Sequence, residues 1–390
     1  VQPDMPQTRR TASDSMRLDG QRIVFRTDAS LEIGSGHVMR CLTLADALSE
    51  KGAECWFICR AHPGHLAELI HTRGHHCHLL DTVAEPEQGS ADISSPAHAS
   101  WLGCSRMMDA AQTHVILAEL CPAWLIVDHY AIDAHWESRL RNHVGRIMVI
   151  DDLADRPHDC DLLLDQNLGR ELDDYRKHVP PGCQLLIGPR YALLRPEFAE
   201  LREYSLKRRQ RPVFKQVLIT MGGVDKLNVT SQVLNALRCA PLPNDCRILV
   251  VMGPKAPWLT QIEDLAATLH WPTEVLVNAN NMAQLMASSD LAIGAAGSTS
   301  WERCCLGLPT LMMIIADNQQ EAAHNLMSAG AAVCMQEKNM GKNITHWVNE
   351  FITAPGTSTA MTSCASSITD GLGAWRVSDV IVSTSMERYV

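Results

Sequence analysis

The sequence reads as α/β, with two doubly wound, Rossmann-like domains and a cleft between them. Three observations predict this. Short apolar runs of strand length alternate with segments of helical period, and they do so in two successive series. Within each series, strands break into glycine-punctuated loops that feed helices, the pattern of parallel βαβ units. The 390 residues, 46% of them hydrophobic, are enough for two cores of ordinary size.

Val1–Gly20 is polar and lacks an apolar core region, so residues 1–20 read as a disordered tail rather than a secretory signal. Arg9-Arg10 without that region does not make a twin-arginine signal. Residues 21–199 form the first domain. Its strands are expected at Arg22–Arg26, Cys55–Cys59, Cys77–Leu80, Trp124–Asp128, Ile147–Asp151 and Leu162–Asp165. Its helices are expected at Val38–Lys51, His65–Thr72, Arg106–Leu120 and Asp133–Asn142. The Pro-, Ser-, Glu- and Ala-rich span Val83–Ser100 reads as a surface loop.

The charged stretch 200–212, Glu200 to Pro212, reads as the linker. Residues 213–354 then repeat the architecture. Strands are expected at Gln216–Met221, Arg247–Val251, Glu274–Leu276, Leu291–Ile293, Thr310–Met313 and Val333–Met335. Helices fit Val229–Cys239, Leu259–Leu269, Met282–Ala287, Ser298–Leu306 and Gln320–Ala329. Residues 355–390 form a C-terminal tail, Ser/Thr-rich to Ser367, with one helix over Leu372–Met386.

The net charge of −10 argues against non-specific nucleic-acid or anionic-membrane binding. No apolar run approaches the ~18 residues of a membrane span. The fourteen cysteines show no C-x-x-C pair and no zinc spacing. Cys55, Cys59, Cys304, Cys305 and Cys334 lie in or beside apolar runs, as free thiols do. A reducing cytoplasm is the expected setting.

Chemistry concentrates on loops that leave strands. Phe25 to Arg40 passes through Gly34-Ser35-Gly36-His37 into a helix. In an open α/β sheet that turn lies at the carboxyl edge, where ligands bind. Gly34 and Gly36 let the backbone approach a ligand, and helix N–H groups favour anions such as a diphosphate. His37 can act there as general base or acid. The other reading is a tight turn with an exposed capping histidine.

Met221-Gly222-Gly223 through Asn228, and Gly297-Ser298-Thr299 through Glu302, repeat the strand–loop–helix pattern. Ser298 and Thr299 are placed to meet a phosphate. Glu302 could accept hydrogen bonds from a ribose diol, or simply complement the helix dipole. Asp128-His129-Tyr130 and Asp151-Asp152 end two further strands. The two acids could hold Mg²⁺, although loop capping by Asp is the more common role. His71 to His78 is histidine-rich but lies on the entry side of the sheet, away from the ligand rim.

Together these loops resemble the nucleotide-sugar hydrolase of pseudaminic acid biosynthesis. The resemblance rests on G-x-G-H-x-x-R (Gly34 to Arg40), Asp128-His129-Tyr130, Met221-Gly222-Gly223 and Gly297-Ser298-Thr299-Ser300-Trp301-Glu302-Arg303. It is carried also by Ile150–Arg156, Leu164-Asp165-Gln166-Asn167 and Gly188–Phe198, and runs from Arg22 to Glu337. The chain is similar, more distantly, to the peptidoglycan glycosyltransferase that transfers N-acetylglucosamine from its uridine nucleotide. Both imply the glycosyltransferase-B architecture.

The resemblance implies hydrolysis of UDP-2,4-diacetamido-2,4,6-trideoxy-β-L-altropyranose, with His37 activating water and Tyr130 near the sugar. It also implies Gly34, Gly36, Arg40, Gly222, Gly223, Asn228, Gly297, Ser298, Thr299, Asn318 and Gln319 around the substrate, with Glu302 on the ribose. Asp28, close to His37 in sequence, is expected to orient the imidazole. The expected partner is a UDP-sugar, with no metal, cofactor, nucleic acid or membrane; the oligomeric state is not readable. A glycosyltransferase or a non-catalytic nucleotide-sugar binder on the same fold are the alternatives. Val1–Gly20 and the residues after Pro355 have no counterpart in the resemblance.

Overall fold

The computed structural model describes residues 17–82, 98–254, 256–316, 319–335 and 337–386. Asn318, most of the 1–20 tail and most of the 83–100 loop fall outside them.

The first sheet has seven parallel strands: β1 (Arg22–Thr27), β2 (Glu54–Arg60), β3 (His76–Leu80), β4 (Trp124–Asp128), β5 (Arg146–Ile150), β6 (Leu162–Asp165) and β7 (Gln184–Ile187). Their spatial order is β3-β2-β1-β4-β5-β6-β7. The second has six parallel strands: β8 (Gln216–Thr220), β9 (Arg247–Met252), β10 (Thr273–Val277), β11 (Leu291–Ala295), β12 (Thr310–Met313) and β13 (Val333–Met335), in the order β10-β9-β8-β11-β12-β13. Each order reverses once, between β1 and β4 and between β8 and β11. At such switch points neighbouring loops leave in opposite directions and open a crevice at the carboxyl edge.

Helices cover both faces of each sheet, so central strands are apolar on both sides. Ile23, Val24 and Phe25 are all fully buried. Alternation sorts them: Ile23 and Phe25 pack with Val38 and Leu42 of the helix Gly36–Ser49, and Val24 packs on the opposite side with Leu117. Among the described residues no helix is long and apolar enough to cross a membrane. All fourteen cysteines are free thiols.

The connection between the sheets differs from a charged linker. Pro196–Arg209 is a helix that buries Phe198 and Ser205. Arg202 donates to the carbonyls of Ser366 (2.7 Å) and Thr369 (3.0 Å), and Ser205 Oγ to that of Leu306 (2.7 Å). Pro196 at the first position, Glu197 in the first turn and Lys207 to Arg209 in the last suit a helix dipole. Acid thus opens the helix and base closes it, with Glu200, Arg202 and Glu203 between.

The C-terminal part is also more ordered than a tail with one helix. Met340–Thr353 and Pro355–Ile368 are helices, and the second buries Ser358, Met361, Thr362 and Ala365. Gly373–Met386 returns to the first domain, where Val377, Ile381 and Val382 join the core under the helix Gly36–Ser49. Trp124 Nε1 donates to Ser385 Oγ at 2.8 Å.

Candidate active site

The turn after β1 is built by its own residues. Ser30 Oγ accepts from the backbone N–H groups of Glu32 (3.1 Å) and Ile33 (2.9 Å), and the Gly34 N–H bonds the Ser30 carbonyl at 2.9 Å. Gly34 has φ +83°, a conformation that costs glycine little. The chain then enters the helix Gly36–Ser49 with His37 at its second position.

His37 Nδ1 lies 2.6 Å from Asp128 Oδ1. Asp128 has no exposed side-chain surface and ends β4, the strand beside β1 at the switch point. The tautomer that satisfies this bond carries its proton on Nδ1, leaving Nε2 with the lone pair. Arg40, one helical turn on, grips the same carboxylate with a fork: Nε to Oδ2 and Nη2 to Oδ1, both 2.7 Å. Burial alone would raise the Asp128 carboxyl, but Arg40 and His37 hold it well below the usual carboxylate range. It therefore stays an acceptor.

Arg40 Nη1 also donates to Asp152 Oδ2 (2.7 Å), which accepts the Tyr130 hydroxyl at 2.9 Å. Asn167 Nδ2 reaches Asp152 Oδ1 at 3.3 Å. The Tyr130 ring meets the His37 ring edge-on, centroids 4.6 Å apart. Burial and then the Asp152 charge push the Tyr130 phenol well up, so it remains a donor.

Asp28 does not orient His37. Its Oδ1 accepts from Arg26 Nη1 (2.7 Å) and the Arg60 N–H (2.6 Å), and its Oδ2 lies 3.2 Å from His129 Nε2. Arg26 and Arg60 in turn pair with the buried Asp109. Strand alternation explains the correction. Asp28 follows Val24 and Arg26 on the face away from the helix Gly36–Ser49, whereas Asp128 follows Ile126 on the face toward it. That period-two signal was present in the sequence.

Of the Asp151-Asp152 pair, Asp151 serves local structure and Asp152 faces the cleft. Asp151 accepts from the N–H groups of Leu153 and Ala154 and pairs with Arg156 at 2.9 Å, while Asp152 is taken by Arg40 and Tyr130. His75 bonds Asp46 at 2.8 Å, and His76 stacks on Trp56. Among the described residues no group of three or more His, Cys, Asp or Glu side chains could hold a metal ion.

The second domain contributes the facing loops. Gly222 has φ +85°, and the backbone of Gly223 comes so close to Gly253 that a Cβ there would lie 2.0 Å from the Gly223 carbonyl oxygen. The Asp225 carboxylate accepts from the N–H groups of Val229 and Thr230, both 2.9 Å, and so starts the helix Val229–Leu237. Asn228 turns away from the cleft, its Nδ2 3.4 Å from Gln261. Gln319 Oε1 accepts from the Ile315 N–H at 3.1 Å.

Two adjoining cavities lie between the domains. One of about 160 Å³ is lined by His37, Tyr130, Asp152, Asn167, Gly297 and Gln319. The other, about 260 Å³, is lined by Arg195, Gly222, Gly223, Gly253, Thr299 and Glu302. Gly36, Arg40, Gln166, Ser298 and Trp301 line both, so the two are one cleft. His37 stands at one end and Glu302 at the other. Burial pushes the Glu302 carboxyl up to about 7, against the pull of Arg195. Asp128 and Asp152 were marked in the sequence only as strand-end acids, and Gln166 and Arg195 lay in motifs to which no role was given.

Residues 216–372 match the glycosyltransferase family 28 C-terminal domain. The chain is similar to the UDP-2,4-diacetamido-2,4,6-trideoxy-beta-L-altropyranose hydrolase of Campylobacter jejuni, 27% identical over 80% of this chain and 98% of that protein. An uncharacterized protein of Methanocaldococcus jannaschii is 26% identical over 77% of this chain, which spans 57% of that relative's length. Among solved structures, Acinetobacter baumannii MurG superposes with a TM-score of 0.64 at 15% identity, over 93% of this chain and 99% of MurG. The fold is of glycosyltransferase-B type.

Proposed function

We propose that this chain is a cytoplasmic hydrolase of a nucleotide sugar, breaking the anomeric C–O bond of a UDP-linked 2,4-diacetamido-2,4,6-trideoxy sugar in pseudaminic acid biosynthesis. The observation that carries the reading is the His37–Asp128 pair, 2.6 Å apart, at the wall of a cleft shared with the second domain's glycine loops. The similarity to the Campylobacter hydrolase supports the choice of substrate.

The chemistry follows from the placement. Water attacks the anomeric carbon as the bond to the diphosphate oxygen breaks, and UDP departs with the electron pair. His37 Nε2 takes the water proton; Asp128 steadies the imidazolium that forms. Arg40 fixes Asp128, and Tyr130 with Asp152 shapes the sugar end. The backbone of Gly222 and Gly223, with Ser298 and Thr299, meets the diphosphate, where donors stabilise developing charge. Glu302 accepts the ribose hydroxyls. UDP is a good leaving group, so a base and oriented donors suffice without a strong acid.

A glycosyltransferase is the second reading, supported by the family 28 domain match and the MurG-like fold. Incubating the protein with a panel of UDP-sugars and no acceptor separates the two. The hydrolase reading expects UDP and free sugar in equal amounts at a steady rate. A transferase would release them only slowly until an acceptor is added, and a binding protein would release neither.

A further inference from the structure

We infer that Arg195 is a positioning residue for the nucleotide: it acts on the ribose through Glu302, holding that carboxylate charged and turned into the cleft. The inference rests on the reading above that Glu302 takes the ribose diol.

Arg195 lies immediately before Pro196, at the start of the helix that joins the two sheets. Its guanidinium packs over the Phe198 ring, 5.3 Å from the centroid, and pairs with Glu197 at 3.1 Å. Its other nitrogen reaches Glu302 Oε1 at 3.9 Å. The two side chains are only 16% and 17% exposed, and both line the larger cavity. A diol offers two O–H donors, and an ionised carboxylate offers an acceptor to each; a protonated one loses half of that capacity.

Three charged groups face Glu302. Arg195 acts from the crossover, Arg303 from the same helix, and Glu197 opposes them. Arg303 is committed elsewhere, donating to the Ala295 carbonyl (2.6 Å) and Ser300 Oγ (2.9 Å). Arg195 is therefore the cation on the cleft side. Burial leaves the Glu302 carboxyl at about 7, close to working pH. Without Arg195 it would rise further, and the charged form would be lost under neutral conditions.

The test is calorimetric titration between about pH 6 and 8.5 with a UDP-sugar analogue carrying a methylene in place of the anomeric oxygen. It cannot be hydrolysed, and its diphosphate does not titrate in that range. Wild-type affinity should fall on the acid side of about pH 7. Arg195→Gln should move that fall upward by about one pH unit, weakening binding roughly tenfold at pH 6 and converging with wild type at the alkaline end. Arg195→Lys keeps the charge and should follow the wild-type curve within about threefold.

Glu302→Gln should bind weakly with a flat profile. A loss in Arg195→Gln that is the same at every pH would mean direct contact with the diphosphate and would overturn the inference. So would an equal loss in Arg195→Lys, or a pH-independent wild type. Unchanged affinity in Glu302→Gln would instead remove the ribose reading on which the inference stands.

Discussion

The imidazole of His37 is bonded through Nδ1 to the Asp128 carboxylate at 2.6 Å; His37 opens the helix that follows β1, and Asp128 ends β4, the strand beside β1 at the switch point of the first sheet. The helix after β1 carries the base, and the end of β4 carries its orienter. Arg40, three residues after His37, holds both oxygens of Asp128. One turn of helix thus supplies the base and the clamp on its partner.

Asp128→Asn tests that relationship. The amide can no longer stabilise a charged imidazole, and its NH2 group favours the tautomer with the proton on Nε2, the wrong nitrogen for a base. Turnover of the UDP-sugar should fall by about 10²–10⁴-fold. Affinity for UDP, measured by calorimetry, should change by less than about threefold, because the second domain holds the nucleotide in this reading. Equal losses in both would assign Asp128 to folding rather than to the base.

Gly294→Ala should destabilise the second domain. A Cβ there would lie 2.2 Å from Arg303 Nη1 and 2.8 Å from the Thr220 carbonyl oxygen. Both obstacles are hard to move, since Arg303 is buried and Thr220 is backbone in the paired strand β8. Overpacking of this kind costs about 1–3 kcal/mol, readable as a lower urea midpoint. An unchanged midpoint would mean that Arg303 has another place to go.

Acid should expose the buried pair of Asp151 and Arg156. Burial would raise the Asp151 carboxyl, but Arg156 and then His158 bring it from an ordinary 3.8 down to about 2. The unfolded chain therefore binds more protons between those values, so stability rises with pH across that window and is lost as pH falls through it. The contribution is about 2 kcal/mol for this one group. Urea unfolding at pH 7, 4, 3 and 2 should show the decline. Asp151→Asn should be weaker at pH 7 and less steep below pH 4; an identical slope would place the acid sensitivity elsewhere.

The sheets were legible because buried parallel strands are continuous apolar runs. Twelve of the thirteen strands fall on runs that the sequence marks as apolar; the one not expected, Gln184–Ile187, is a four-residue strand at the edge of the first sheet. The helix Pro196–Arg209 was hidden by its charges, since only Phe198, Ser205 and Arg209 are buried along it. Pro355–Ile368 was hidden by Ser and Thr that line a helix whose buried side is mostly small. Glycine loops marked the cleft because close backbone approach needs them. The partner of His37 could not come from proximity in sequence: Asp28 is nine residues away and Asp128 ninety-one, yet strand pairing and alternation bring the distant one to the ring.

His37→Ala is the sharpest test of the proposed chemistry. It removes the base while leaving Gly222, Gly223, Ser298 and Glu302 in place on the other side of the cleft. Hydrolysis should drop by about 10²–10⁴-fold or more, since that is what a positioned base contributes. UDP binding should persist. Asp128 would then face an empty space but keep its two bonds from Arg40, so the fold should survive the change. Single-turnover measurements on wild type and variant with the same UDP-sugar decide the matter. If the variant keeps more than about a tenth of the wild-type rate, His37 is not the base. The proton acceptor would then have to be sought at Asp152, the other carboxylate lining the sugar end of the cleft.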